Sequence, residues 1–217
     1  MKNTQKNPLV NFQKLLDEKI NEIAKNNLFP DLLLHSCCAP CSTYVMEYLS
    51  QYFLITVFFY NPNIHPEEEY NRRLNEQKKL IEQFPVKNKI NFIEGKYEPE
   101  IYFKEVKGLE NEPEGGKRCL KCFNLRLEKT AKKAQELKIP YFTTTLTVSP
   151  HKNAKAINQI GNEVSNKYQL NYLFSDFKKK DGFKRSIILS KQFNLYRQNY
   201  CGCIYSIKNG IKDKKPN

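Results

Sequence analysis

The sequence predicts an α/β fold: a mostly parallel sheet with helices on both faces, preceded by an N-terminal helix. Two observations lead there. Short apolar runs of strand length alternate with longer segments whose apolar residues recur at helical spacing, the β-α-β order that parallel strands require. The chain, at 217 residues and 40% hydrophobic, is also long enough for one domain with a substantial core.

Phe12, Leu15, Leu16, Ile20 and Ile23 make the apolar stripe of a first helix, which Asn26, Asn27 and Pro30 end and which should pack on the domain. DLLLHS, residues 31–36, reads as a buried strand. After the turn Cys-Cys-Ala-Pro comes the helix STYVMEYLS, with Pro40 tolerated in its first turn because an amide there has no helical partner. FLITVFF is a second strand running into the polar loop YNPNIHP, and PEEEYNRRLNEQKKLIEQF is a helix with its carboxylates at the positive end of the dipole. INFIEG is a third strand, residues 96–112 hold a short helix, and RCLKCFNLRLEKTAKKAQELK is a long one. IPYFTTTLT, residues 139–147, is a fourth strand, followed after SPHK by the helix NAKAINQIGNEVSNKY. LNYLFSDF reads as a further strand and GFKRSIILSKQF as a helix ahead of the segment Cys-Gly-Cys. No internal repeat or long low-complexity linker interrupts the series.

The start MKNTQKNPLVNFQKLL lacks the apolar stretch and cleavage site of a signal peptide, and the longest apolar run, Phe53 to Phe59, is too short to span a bilayer. A cytoplasmic protein with no membrane partner is expected. In that reducing compartment seven cysteines point to metal binding or redox chemistry before a disulfide framework. A formal charge of +13, from 36 Lys and Arg against 23 Asp and Glu, favours a polyanionic partner, nucleic acid first. A lysine-rich proteome that writes lysine on every solvated face accounts for the same figure.

In an open parallel sheet, ligands bind beyond the carboxyl ends of the strands. The loop after the first strand carries Cys37, Cys38 and Cys41, the loop after the second carries Asn61, Asn63 and His65, and TTLTVSPHK ends the fourth, so these loops should meet at one crevice. Cys119 and Cys122 form a C-x-x-C at a helix start, where amide dipoles stabilise thiolates, and Cys38 and Cys41 form another. Two such pairs can hold a structural zinc or an iron–sulfur cluster, and spacing alone does not separate them. In Cys201-Gly202-Cys203 the central glycine lets the backbone fold so that the two sulfurs can close a small, reducible ring, suited to two-electron exchange; two buried cysteines in a turn are the bland alternative.

The remaining polar residues divide similarly. His35 reads as a core histidine, while His65 and His151 lie in loops at the active edge. Tyr60, Asn61 and Asn63 could bind substrate or shape a turn. Lys178, Lys179, Lys180, Lys184, Arg185 and Arg197, interleaved with Phe177, Phe183 and Tyr196, suit phosphate contact and base stacking in single-stranded RNA, or form the solvated side of a helix.

With these motifs assembled, the sequence resembles the epoxyqueuosine reductase family of the cobalamin-independent type, QueH. HSCCAPCS, FFYNPNIHPEEEYNRR, GGKRCLKCFNLRLEKTA, FTTTLTVSPHKN and DFKKKDGFKRSIILSKQFNLYRQNYCGCIYS carry the resemblance, over residues 31–206. It implies a Rossmann-like fold, a [4Fe-4S] cluster, a neighbouring mononuclear iron, and the two-electron reduction of epoxyqueuosine to queuosine in the tRNA anticodon loop, the last step of queuosine biosynthesis. The electron donor stays unidentified. Matched by motif, Cys37, Cys38, Cys119 and Cys122 fall on the cluster ligands, and Cys201 with Cys203 on a redox-active disulfide. Cys41, one turn beyond, is the natural protein ligand for the second iron, and Lys179, Lys180, Lys184 and Arg185 are the residues expected to meet the tRNA. Residues 1–30 are then an N-terminal helical extension, 31–207 the iron–sulfur α/β catalytic domain, and 208–217 a Lys-rich tail. A nucleotide-dependent tRNA-modifying enzyme of the ATP pyrophosphatase type would need a glycine-rich phosphate loop after the first strand, and HSCCAPCS has no glycine. The other rival, a zinc-bearing RNA-binding module, would carry one tightly bound zinc and no catalysis.

Overall fold

The computed structural model describes residues 10–198 and 200–207; the Lys-rich tail at 208–217 lies outside the described residues. Five strands, β1 (Asp31–His35), β2 (Leu54–Phe59), β3 (Asn91–Glu94), β4 (Tyr141–Thr144) and β5 (Asn171–Tyr172), pair in parallel in the order β3-β2-β1-β4-β5. The helices are α1 (Phe12–Lys25), α2 (Ala39–Leu49), α3 (Glu67–Gln83), α4 (Pro99–Glu105), α5 (Lys117–Glu136), α6 (Ala154–Tyr168) and α7 (Gly182–Gln192).

β1 is the centre of the sheet, and its side chains alternate between two cores. Leu32 and Leu34 meet the residues of α1, α2 and α3, together with Phe177 and Phe183 around the start of α7, whereas Leu33 meets Phe123, Leu127 and Ala131 of α5 and Ile157 and Val164 of α6. All three leucines are wholly buried. A strand covered on both faces cannot carry a polar side, which is why its centre, Leu32–Leu34, is an unbroken apolar run. The result is the expected Rossmann-like α/β sandwich. α1 is part of it: Leu16, Ile20 and Ile23 enter the first core, while Leu15, read as apolar face, is 37% exposed and Gln13 is buried in its place.

Two strands are shorter than the sequence suggests. The run at 139–147 leaves the sheet at Thr144, whose hydroxyl oxygen accepts from the Leu146 amide at 3.1 Å and starts a tight 3-10 turn, Thr145–Val148. LNYLFSDF pairs only at its start, because further on the Asn158 side chain takes the place of a strand neighbour: it accepts from the Ser175 amide at 2.9 Å and donates to the Ser175 carbonyl at 2.8 Å. The short helix expected within 96–112 is α4, only seven residues long.

The chain lays down β1, β2 and β3 outward, then returns to the opposite side of β1 for β4 and β5. Loops leaving β1 and β4 therefore part in opposite directions and open a crevice at the carboxyl edge, the usual ligand position in such sheets.

Candidate active site

The crevice contains a cavity of roughly 640 Å³, and all seven cysteines line it. Cys38 is the extended residue that caps α2, Cys37 precedes it, and Cys41 lies in the first turn. Their three sulfurs lie within 4.8 Å of one another, with Cys37 and Cys38 at 3.8 Å. Sulfurs bound to one tetrahedral ion through bonds of about 2.3 Å stand at about this separation. The loop is pinned from two sides. The Cys37 amide donates to Thr145 Oγ1 at 3.1 Å, tying the end of β1 to the turn after β4. Behind it Ser36 and Ser42, 2.6 Å apart, both donate to Gln77 Oε1 of α3 at 2.6 and 2.9 Å.

Cys119 and Cys122 face the same cavity from the start of α5, and Arg126 continues their face at i+7 and i+4. Cys201 and Cys203 enter from the far end of the chain. Gly202 between them has φ of +96°, its carbonyl accepts from the His65 amide at 2.9 Å, and Cys203 Sγ lies 3.0 Å from the Tyr102 hydroxyl. All seven are free thiols.

Charge is shared unevenly among them. Hydrogen bonds from Cys38 and then Cys41, helped by Lys152 and Thr145, hold Cys37 well below the usual thiol value despite burial. Cys38, which gives up its hydrogen to Cys37, is pushed up to about 11, and Cys41 is raised as well. Cys201 is held well down, first by the Cys203 thiol and then, against burial, by Lys152; Cys203 is raised correspondingly. The expected stabilisation of thiolates at the start of α5 does not prevail: burial raises Cys119, against the Gly115 amide that donates to its sulfur at 3.2 Å, and takes Cys122 to about 11.

Three cations offset this negative charge. Burial opposes the charge on Arg126 and on Lys152, but neighbouring cysteine sulfurs outweigh it and keep both protonated. Arg73, 3% exposed, is held by Glu69 at 2.6 Å and lies beneath the Tyr200 ring. With Arg197, four Arg and Lys side chains line the cavity against one carboxylate, Glu114, among the described residues. Such a lining accommodates metal-bound thiolates, whose negative charge would otherwise be costly in a partly dry site.

His35 is a structural histidine, as its position suggests. Its Nε2–H donates to the Tyr60 carbonyl at 3.1 Å, so Nδ1 accepts from the Thr144 hydroxyl at 2.8 Å; burial, then the Arg126 charge, push its pKa down to about 3. Asn61 shapes the cysteine loop by donating to the Ser36 carbonyl at 2.8 Å and accepting from Arg126 at 3.4 Å. Tyr60 is buried with its hydroxyl on Glu98. Asn63 and His151 line the cavity, whereas His65 serves through its backbone.

Of the basic group after β5, Arg197 alone lines this site and the rest border it. Phe183, Ser186 and Arg197 line the cavity, but Lys180 pairs with Asp17 at 2.8 Å, Lys184 with Asp181 at 2.9 Å, and Arg185 with Glu47; Lys179 is exposed. The exposed lysine pairs are weak and readily exchanged, whereas Arg185 holds Glu47 through two hydrogen bonds. Sequence reasoning did not single out Arg73, Arg126, Lys152, Tyr102 or Glu114. Arg126 carried a local signal, its helical register with Cys119 and Cys122, and Lys152 a positional one, its place in the SPHK loop beyond β4.

The family model described as Epoxyqueuosine reductase QueH matches residues 32–209. An epoxyqueuosine reductase QueH of Streptococcus pyogenes serotype M1 is 46% identical over 208 residues, covering 95% of this chain and 82% of its own. One from Staphylococcus epidermidis is 46% identical over 217 residues, 98% of this chain and 91% of its own, and one from Thermotoga maritima 36% over 182 residues, 81% and 90%. Among solved structures, the U34-tRNA thiolase NcsA from Methanococcus maripaludis with its [4Fe-4S] cluster covers 94% of this chain and 75% of its own, at a TM-score of 0.51 and 14% identity, a likeness of fold.

Proposed function

The chain belongs to the epoxyqueuosine reductase QueH family and is an oxidoreductase of queuosine biosynthesis, and from that premise we propose that the cysteine-lined cavity is where it removes the epoxide oxygen of epoxyqueuosine in tRNA. The observation that carries the proposal is the convergence of three distant cysteine stretches on one cavity with a cationic lining.

Cys37, Cys38, Cys119 and Cys122 hold a [4Fe-4S] cluster, and Cys41 is the ligand available to an adjacent iron. When bound, these centres supply electrons one at a time and a Lewis acid for the epoxide oxygen. Arg73, Arg126 and Lys152 offset the charge of the ligating thiolates. Conversion of an epoxide to an alkene consumes two electrons and two protons and releases water, and oxidation of the Cys201 and Cys203 thiols to a disulfide releases two of each. The pair therefore balances one turnover, after which an external reductant must restore it.

The cavity is of a size that takes a nucleobase-sized group. Lys179, Lys180, Lys184 and Arg185 contact phosphates of the anticodon loop, the last three exchanging their carboxylate partners for RNA, and Phe183 offers a stacking face to the splayed base.

The test is anaerobic purification followed by iron and sulfide analysis, a visible spectrum, and turnover of epoxyqueuosine in tRNA. Iron, acid-labile sulfide and broad absorption towards the violet are expected. A colourless, fully active protein holding one zinc would overturn the cluster assignment.

A further inference from the structure

Tyr102 of α4 is 1% exposed, and among the described residues the only hydrogen-bond partner of its hydroxyl is Cys203 Sγ, at 3.0 Å. That choice of partner is unusual within this protein. Tyr60 and Tyr168 give their hydroxyl hydrogens to carboxylates, and Tyr70 and Tyr97 to backbone carbonyls. A buried phenol normally finds an oxygen, because sulfur is a weak acceptor; sulfur becomes a strong one only as a thiolate.

The two residues of the pair differ in access. Cys201 is partly exposed, whereas Cys203 is 6% exposed and packed with Tyr102, Val106 and Cys122. In thiol–disulfide exchange an incoming thiolate attacks one sulfur and the other departs as a thiolate. Access makes Cys201 the sulfur attacked and Cys203 the one that leaves. The departing charge then develops in a buried position, where it is costly without a donor. Tyr102 is that donor.

We infer that Tyr102 governs the return of the pair to its dithiol form, by hydrogen-bonding the Cys203 sulfur as it leaves during reduction by an external thiol. The inference rests on the reading of Cys201 and Cys203 as the redox pair. The step is RS⁻ + Cys201–S–S–Cys203 → RS–S–Cys201 + Cys203–S⁻. The new S–S bond forms at Cys201, the old one breaks at Cys203, and a second thiol of the reductant releases Cys201. The phenol keeps its proton and donates only the hydrogen bond. Because the bond favours the reduced form, it also raises the midpoint potential of the pair.

The test uses the anaerobically purified protein, gently oxidised, then reduced with dithiothreitol and quenched by alkylation, with the Cys201–Cys203 peptide read by mass spectrometry. Tyr102→Phe should slow reduction about tenfold and shift the equilibrium against dithiothreitol by a similar factor, about 30 mV towards more negative potential. Tyr70→Phe, which removes a hydroxyl bonded to a backbone carbonyl, serves as the control and should change neither. Equal rates and midpoints in wild type and Tyr102→Phe overturn the role of Tyr102 and leave the redox pair standing. A wild-type protein that forms no Cys201–Cys203 disulfide at any oxidant strength overturns the reading of the pair, and this inference with it.

Discussion

Replacing Gly202 with alanine tests whether the geometry of the Cys201–Cys203 segment governs turnover. Gly202 has φ of +96°, and a Cβ there would lie 2.9 Å from Ile64 Cγ1 and 3.0 Å from Arg73 Nη1. The backbone conformation alone costs an L-residue about 1–2 kcal/mol. The contacts fall well short of the roughly 3.5–4 Å of ordinary van der Waals packing, and relieving such overlap in a packed site costs about 1–3 kcal/mol more. Arg73 cannot retreat, since its guanidinium is buried against Glu69 with contacts of 2.7 and 2.6 Å. The tie that keeps the segment down is the His65 amide donating to the Gly202 carbonyl at 2.9 Å, and one such bond contributes about 1 kcal/mol. Strain therefore exceeds the restraint, and the segment should lift and carry Cys203 away from Tyr102. A misplacement of about 1 Å typically costs about a hundredfold in rate, so kcat/KM for epoxyqueuosine in tRNA should fall by one to two orders of magnitude. Cluster absorption should be unchanged, because no proposed ligand lies in the segment. Steady-state turnover read beside the visible spectrum decides it: a Gly202→Ala protein with wild-type kcat/KM would refute the reasoning.

Three further outcomes follow from the same structure. Cys119→Ser should lose cluster absorption and activity together, while Cys201→Ser keeps the absorption and loses turnover with a thiol reductant; normal turnover by the Cys201 variant removes the redox-pair role. Neutralising Lys179, Lys180 and Lys184 together should weaken tRNA binding and lower the slope of log affinity against log salt by up to about 3, at about 0.9 or less for each phosphate no longer neutralised, with an unchanged slope showing these lysines to be solvated surface only. Because burial holds the folded His35 pKa at about 3 against an ordinary 6.5, the unfolded chain takes up a proton below about pH 6.5 that the native state refuses. Stability from this group is thus complete above that pH and falls by about 1.4 kcal/mol per pH unit on acidification until the native ring titrates. Urea denaturation at pH 7 and 5 should show a steeper loss for wild type than for His35→Gln, and parallel losses would contradict the buried neutral imidazole.

What was legible in the sequence, and what was not, follows the range of the interactions. β1 announced itself because burial on both faces makes its centre, Leu32–Leu34, an unbroken apolar run, and the cysteine stretches stood out because metal and redox chemistry restrict residue type. The ends of β4 and β5 did not, since the first is set by a side-chain cap at Thr144 and the second by Asn158 reaching from α6 to Ser175. Arg126 was readable in principle at i+4 from Cys122, and Lys152 from its place in the SPHK loop beyond β4; Arg73 and Tyr102 were not, because their importance depends on residues 200–203 folding back onto α3 and α4 from the far end of the chain. The basic composition shows the same division. Read from sequence, the charge of +13 points outward to a polyanion. In the structure part of it turns inward: Arg73 and Arg126 are buried against the cysteine cavity and Lys152 projects into it, while Lys180 and Lys184 stay at the surface in exchangeable pairs. These two sets answer to different perturbations. Salt screens surface lysines and leaves buried arginines almost untouched, so added salt should weaken tRNA binding without bleaching the cluster, whereas Arg126→Gln should disturb the cluster at any ionic strength.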